Sequence, residues 1–555
     1  MGFKIGIFVF IFIFYYIFSN VLVCLGKSVL RKSCNIIFLS QNVYIIESFS
    51  FFLGVLISTL FIVCLSYFLG LKISFYLFFT IVICSLYFNR KFKGHFSVIS
   101  NKILFALIIL ISQIIISLLP LPSFFSTIEL NSINPFDGFG AIVHSLRSGN
   151  ISLFFLEKNS VPRLNQNIGQ SLITTYPMFI IGKYPQVNLI VWKSFVVLNT
   201  LNLVYGILIN LTSKFKYIFL GVIALLFGQT GLGFTYIQTV DTGSSLFFLA
   251  NTDTYISIIS FFLFYILVLA DLKAPGFYNK FIILVIGFSW NFFGSQNIII
   301  SSLIFFGFFL FYKKFNFIFF LSFLALSILF GYVFGGLFAL DTNFPSSNIP
   351  GLMSVINGGR LFEFRLPFLP SFYHFEFYRV FDRFFSYLPL ISCFKYIGVL
   401  LSCFMSVLNA VIFVYYLLKI LPKRCTLDEL HFVYIFLMIS IFGIFVASFF
   451  KIYGQVWELS RFYYVGNYFL IFLMTFVFLN QEYLDHRSRS YIRILYLCSF
   501  VPVLLYSIFF IYNNFNGNYI MLHTNYKLDE DLILSINERF DCMFRFSSEV
   551  GRDLK

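Results

Sequence analysis

Asp137, His144 and Arg147 are spaced seven and three residues apart, which sets a carboxylate, an imidazole and a guanidinium on one stripe of an α-helix. Asn134 and Pro135 supply the start of that helix, a capping side chain followed by proline at the first helical position, and Gly149 supplies a stop. Phe136, Phe139, Ile142, Val143 and Leu146 fall on the other face, so the element is amphipathic and suited to lie on a membrane surface. A carboxylate so placed can take a proton from an attacking hydroxyl. It can equally be a first-turn acid held by the helix dipole. His144 and Arg147 are either substrate-binding groups or a solvated polar face.

Further chemistry-bearing residues follow. Val161-Pro162-Arg163-Leu164-Asn165-Gln166-Asn167 is a polar, extended stretch that leads through Gln170-Ser171 to Thr174-Thr175-Tyr176-Pro177. Arg360, Glu363, Arg365, His374, Glu376, Arg379, Asp382 and Arg383 cluster in a later stretch. Arg461, in Trp457-Glu458-Leu459-Ser460-Arg461-Phe462-Tyr463-Tyr464, sits at the mouth of an apolar run. A guanidinium there can hold a lipid phosphate or snorkel to the interface beside its aromatic neighbours. The sequence carries no phosphate-binding loop, dinucleotide fingerprint, zinc-protease helix or nucleophile elbow.

The elements that must position these groups are membrane helices. The 555 residues are 59% apolar and 11% charged, with a mean hydropathy of +0.91; a soluble domain carries roughly 25% charged residues. Apolar runs near residues 3–25, 43–69, 71–89, 103–120, 186–210, 217–236, 254–270, 280–292, 296–312, 316–339, 389–418, 431–450, 462–480 and 492–511 predict a polytopic all-α bundle of about 12–14 helices. The first run is too long for a signal-peptide core and is expected to be a retained helix. The eighth and ninth form a tight pair around Trp290–Asn297 and are short enough to be half-depth helices. Three regions result: N-terminal helices 1–102, a membrane core 103–511 with long loops at 121–185 and 341–388, and a tail at 512–555.

Short connections hold Lys27, Arg31 and Lys32, Arg90 to Lys102, Lys214 and Lys216, Lys273 and Lys280, Lys313 and Lys314, Lys419 to Arg424, and Arg487 to Arg493. Positive charge in short loops marks the cytoplasmic side, so both long loops, the tail and most of the acids face outward. The net charge of +15 therefore reports membrane insertion rather than nucleic-acid binding. The nine cysteines are scattered without a CxxC pair and are expected to be buried apolar residues. Abundant Phe, Ile, Asn and Lys match translation from AT-rich codons, as in a low-GC microbe. The expected setting is a bacterial inner (plasma) membrane with the working face outside the cytoplasm.

A polytopic chain with an acid on a short juxtamembrane helix of a long outer loop, a proline-containing polar segment after it and an arginine at the mouth of a late span resembles the GT-C superfamily of membrane glycosyltransferases. The likeness covers residues 103–480 in architecture and a few short stretches in pattern. It implies a GT-C-like fold with helical outer loops and a sugar moved from a polyprenyl-phosphate donor to a saccharide or lipid-linked acceptor. It further implies Asp137 as catalytic carboxylate, with Asp137 and Glu129 as candidate ligands for a divalent metal, Mg or Mn. His144, Arg147, Arg163, Arg379 and Arg461 are the expected substrate-binding residues, Arg461 toward the donor phosphate. The sequence departs from the family in placing three extra spans before the acid, Gly138 rather than a second acid beside it, and no histidine in the Pro162 segment.

Two other readings use the same features. A surface-polysaccharide polymerase or ligase takes the same donor class and carries paired arginines in a large outer loop, as Arg379 and Arg383 are here. A flippase or transporter of lipid-linked oligosaccharide predicts charges at mid-depth in the spans. Lys193 and Lys395, near the outer ends, are the main exceptions to an almost charge-free set of spans.

Overall fold

The computed structural model describes residues 2–33, 42–88, 104–111, 172–173, 176, 185–227, 252–290, 292–293, 296–312, 315–333, 362–364, 411–422, 427–452 and 456–515. These form a helical bundle: α1 (Gly2–Ser33), α2 (Val43–Leu69), α3 (Leu71–Phe88), α4 (104–111), α5 (Pro185–Leu211), α6 (Phe215–Phe227) and α7 (Thr252–Lys273). There follow α8 (Phe277–Trp290), α9 (Gln296–Phe311), α10 (Phe317–Val333), α11 (Val411–Pro422), α12 (Leu427–Phe449), α13 (Val456–Leu479) and α14 (His486–Phe515). Segments within α1, α2, α5 and α7 are long and apolar enough to cross a bilayer. The chain is an integral membrane protein. Departing from an all-helical expectation, two three-residue strands, β1 (Phe362–Phe364) and β2 (Phe450–Ile452), pair antiparallel with Glu363 opposite Lys451.

α2 is the hub, packed against α1, α3, α5, α7 and α8. Its start is fixed by Asn42, whose side-chain oxygen accepts from the Tyr44 and Ile45 amides while its amide donates to Gly206 O and Asn210 Oδ1 on α5. Its end is fixed by Gly70, which turns the chain at φ 78° and returns its N–H to Ser66 O. α1 and α2 run antiparallel at backbone contact: Gly26 lies on the Ser50 backbone and Gly54 on that of Leu22, so neither site has space for a Cβ.

The ends carrying the basic connections meet. Tyr278 on α8 donates to Val29 O near the end of α1 (3.3 Å), Asn42 bonds to Asn210, and Tyr217 on α6 packs edge-on against Phe478 near the end of α13 (5.5 Å). Lys214 and Lys216 lie over Tyr217, and Lys419 lies 4.6 Å over Tyr415, as cations do where a helix leaves hydrocarbon. α1 also runs on through Lys27, Arg31 and Lys32, which the sequence reading placed in a connection.

Most buried hydroxyls close onto their own helices. Ser58, Ser66, Ser260, Ser440 and Thr475 each donate to a carbonyl three or four residues back, which lets polar side chains sit in an apolar interior without an outside partner.

α8 and α9 are short, at 14 and 16 residues, or about 21 and 24 Å against roughly 30 Å of hydrocarbon. Their junction does not reach the far ends of their neighbours. Ser289 donates to Leu56 O, near the middle of α2 (2.9 Å), and Trp290 packs on Phe261 and Phe264 in the middle of α7 (4.9 and 4.8 Å). The turn is built by Phe292 and Phe293 donating to the Ser289 and Trp290 carbonyls, and both rings are buried. The half-depth reading of this pair matches that geometry.

Candidate functional site

The long 121–185 loop returns to the bundle at Leu172, Ile173 and Tyr176, all fully buried. Tyr15 of α1 donates its hydroxyl to the Ile173 carbonyl at 3.0 Å. Tyr176 stands edge-on to Phe18 of α1 at 5.3 Å and lies against Phe75 of α3 at 4.8 Å. Trp192 of α5 closes the wall, 5.9 Å from Tyr15 and 5.7 Å from Phe51 of α2. Four helices thus supply an aromatic socket into which the loop's end is seated, with its backbone carbonyl satisfied by a side chain.

The depth of the socket follows from helix register. The α1–α2 pairings of Gly26 with Ser50 and Leu22 with Gly54 extrapolate at about 1.5 Å per residue to place Tyr15 level with about residue 61 of α2. The loop therefore enters about two turns below the end of α2. The α2–α5 hydrogen bonds of Asn42 to Gly206 O and Ser48 to Asn199 O likewise place Lys193 level with about residue 54, near the middle of α2.

Lys193 follows Trp192 in the chain and is 5% exposed. It lies two turns inside α5, in the first turn of that helix's candidate membrane span, Val191–Leu211. A buried ammonium in a membrane span is costly and marks a substrate or ion pathway more often than a packing choice. In that low-polarity setting an anionic group is attracted far more strongly than in water. Ser194, Asn199 and Thr200 on α5 are also buried; Asn199 and Thr200 close onto carbonyls of their own helix.

Of the residues expected to do chemistry, Arg461 lies on α13, in its second turn. β2 ends four residues before α13 begins, so the β1–β2 pair brings a piece of the 341–388 loop beside the entry to the helix that carries Arg461. Glu129, Asp137, His144, Arg147, Arg163 and Arg379 lie outside the described residues, as do Arg383 and Lys395. Among the described residues no group of three His, Cys, Asp or Glu side chains gathers as a metal site; the metal expectation rests on Asp137 and Glu129. Cys24, Cys64 and Cys498 form no disulfide, and Cys24 is buried on α1.

The opposite, basic end is held by a compact polar knot. Arg489 donates to Leu484 O and Glu482 O, Arg493 donates to Gln481 Oε1 at 2.6 Å, and Asp485 accepts from the Ser488 hydroxyl and amide at the start of α14. Those two bonds from Ser488 hold the Asp485 carboxyl below its ordinary range, although the group is exposed. The knot ties the α13–α14 turn: Arg489 holds its carbonyls, Asp485 caps α14 and Arg493 reaches back to Gln481, so it reads as structure.

No family model, no characterised protein and no solved structure matches this chain.

Proposed function

We propose that the chain is a membrane glycosyltransferase that moves a sugar from a polyprenyl-phosphate-linked donor to a saccharide or lipid-linked acceptor at the outer face of a bacterial inner membrane. The observation that carries the reading is the aromatic socket. It anchors the end of the loop that contains Asp137 and Arg163 inside the bundle, one residue along α5 from the buried Lys193. A lipid-linked donor needs an outer loop anchored in the bundle and a cation within the helices to meet its phosphate.

In the proposed reaction Asp137 takes the proton of an acceptor hydroxyl as its oxygen attacks the anomeric carbon. The bond from that carbon to the phosphate oxygen breaks, and the electron pair leaves with the lipid phosphate. Arg461 and Lys193 hold the negative charge that develops on the phosphate. His144, Arg147, Arg163 and Arg379 bind the sugar and acceptor. Mg or Mn held by Asp137 and Glu129 would add charge neutralisation at the same phosphate.

The test is sugar transfer in membranes containing the chain, from a radiolabelled polyprenyl-phosphate sugar. Asp137→Asn is expected to lower the rate by about 10²–10⁴-fold. Full activity in that variant overturns the role of Asp137, and absence of any new glycosidic bond with wild type overturns the transferase reading.

One observation favours a second reading. A buried lysine near mid-depth and a half-depth hairpin are features of proteins that move polar substrates across the bilayer, so translocation of a lipid-linked oligosaccharide is the alternative. Proteoliposomes loaded with a fluorescent lipid-linked oligosaccharide separate the two: headgroup movement without bond formation identifies a flippase.

A further inference from the structure

The turn between α5 and α6 is Thr212-Ser213-Lys214, which carries the chain across the basic end of the bundle. Its shape is set locally. The Lys214 amide donates to Thr212 Oγ1 at 3.2 Å, and the Lys214 carbonyl accepts from the Tyr217 and Ile218 amides as α6 begins. Lys214 and Lys216 each place their ammonium 5.5 Å from the centre of the Tyr217 ring. The two charges therefore stand no farther apart than twice that distance, which is comparable with the screening length of physiological salt. The ring they share is packed into the bundle by its edge-on contact with Phe478.

Apolar side chains are exposed on both sides of this turn. On α6 Phe215 is 76% exposed and Phe219 55%, and their rings stack at 6.5 Å. On α5 Tyr205 and Ile209 are exposed one turn apart, and Tyr44 at the start of α2 is exposed where it meets Tyr205 edge-on at 5.2 Å. Asn42, bonded to Gly206 O and Asn210 Oδ1, holds that corner of α2 against the end of α5. An open apolar surface thus runs across three helix ends, with two cations at its rim. Rings below and ammonium groups above are complementary to an anionic phospholipid, whose chains need apolar contact and whose phosphate needs positive charge. A zwitterionic lipid offers the same chains, but its own ammonium already offsets its phosphate.

We propose that the corner formed by the start of α2, the end of α5 and the start of α6 is a binding site for one anionic phospholipid of the leaflet at the basic end. Its phosphate lies between Lys214 and Lys216, and an acyl chain lies along Phe215 and Phe219. The site is separate from the transfer chemistry proposed above and stands whether or not that reaction is found.

Native mass spectrometry of the full chain in detergent tests this, with dioleoyl phosphatidylglycerol and dioleoyl phosphatidylcholine offered in equal amounts. Wild type is expected to retain a phosphatidylglycerol in preference to phosphatidylcholine. Lys214→Gln combined with Lys216→Gln is expected to lower that affinity by about fivefold per lysine. Lys419→Gln combined with Arg487→Gln removes the same charge from other connections and should leave it unchanged. Phe215→Ser combined with Phe219→Ser should weaken the adduct by removing the surface for the chain. The wild-type competition carries the test if a variant does not fold. Equal retention of the two lipids by wild type overturns the proposal, as do equal losses in the two charge variants, which would report attraction to net charge alone. An adduct untouched by the phenylalanine changes, or displaced by inorganic phosphate, would mark a site for a free anion and overturn the lipid assignment.

Discussion

Asn42 serves two helices. Its oxygen caps α2 and its amide holds the end of α5 through Gly206 and Asn210, so its two halves can be separated by substitution. Asn42→Asp keeps the cap and loses the donors. Asn42→Ala loses both, at a cost of about 1–2 kcal/mol for the cap and about 0.5–1.5 kcal/mol for each lost hydrogen bond to α5. Thermal unfolding in detergent should rank wild type above Asn42→Asp, and that variant above Asn42→Ala. An asparagine just before an apolar run is a start signal readable in sequence; its cross-helix half was not readable, because no local pattern shows that α5 ends beside it. Asp485 makes a second case. Its carboxyl is held below the ordinary carboxylate range by Ser488, and a lowered pKa stabilises the folded form above the unfolded value. That contribution is present at neutral pH and is lost as pH falls through the lowered value, below about 4. Melting curves of wild type and Asp485→Asn should therefore differ at neutral pH and converge in acid.

At the scale of elements, the α1–α2 crossing depends on two glycines. A side chain at Gly54 meets the Leu22 backbone, which cannot move aside as a flexible side-chain tip can. Gly54→Leu is expected to separate the helices and cost about 1–3 kcal/mol or more, read as a lower melting temperature and faster proteolysis. A substitution at Gly6, which has open space around it, should leave both unchanged. The spans themselves were legible: 43–69, 186–210 and 296–312 match α2, α5 and α9 within one residue at each end, because long apolar runs in a solvent without water have one way to satisfy their amides. The short length of the 280–292 and 296–312 pair was legible too. The β1–β2 pairing was not, since three-residue strands separated by most of the late spans leave no periodic trace. Nor was the level of Lys193 against the middle of α2, because no residue near either helix position in the chain shows the register between them.

At the scale of the molecule, Lys193 distinguishes the proposed chemistry from a merely structural charge. Lys193→Met replaces the ammonium by an apolar group of similar length. At least a tenfold loss of sugar transfer, or of headgroup translocation, per folded molecule is the expected result. Loss of stability with function per folded molecule unchanged would make the lysine a packing residue. Partial recovery in Lys193→Arg would point to charge rather than shape. The charge pattern of the short connections also predicts sidedness. A cysteine introduced near Lys214 should react with a membrane-impermeant thiol reagent only from the cytoplasmic side, and one introduced near Arg163 only from outside. The acid, the polar loop and every arginine of the expected site but Arg461 lie outside the described residues. The socket was not legible in the sequence, because Tyr15 and Ile173 are 158 residues apart and nothing local to either names the other.

That separation has a consequence for how the protein is made. Tyr15 leaves the ribosome long before Ile173, and the Trp192 wall of the socket follows later still, so α1 must enter the bilayer with its aromatic face uncovered and wait for α2, α3 and α5. Synthesis proceeds at about 5–20 residues per second, which leaves the face open for roughly ten seconds or more. During that time α1 is a substrate for membrane quality control, and Ile173 and Tyr176 have no complete socket until α5 is inserted.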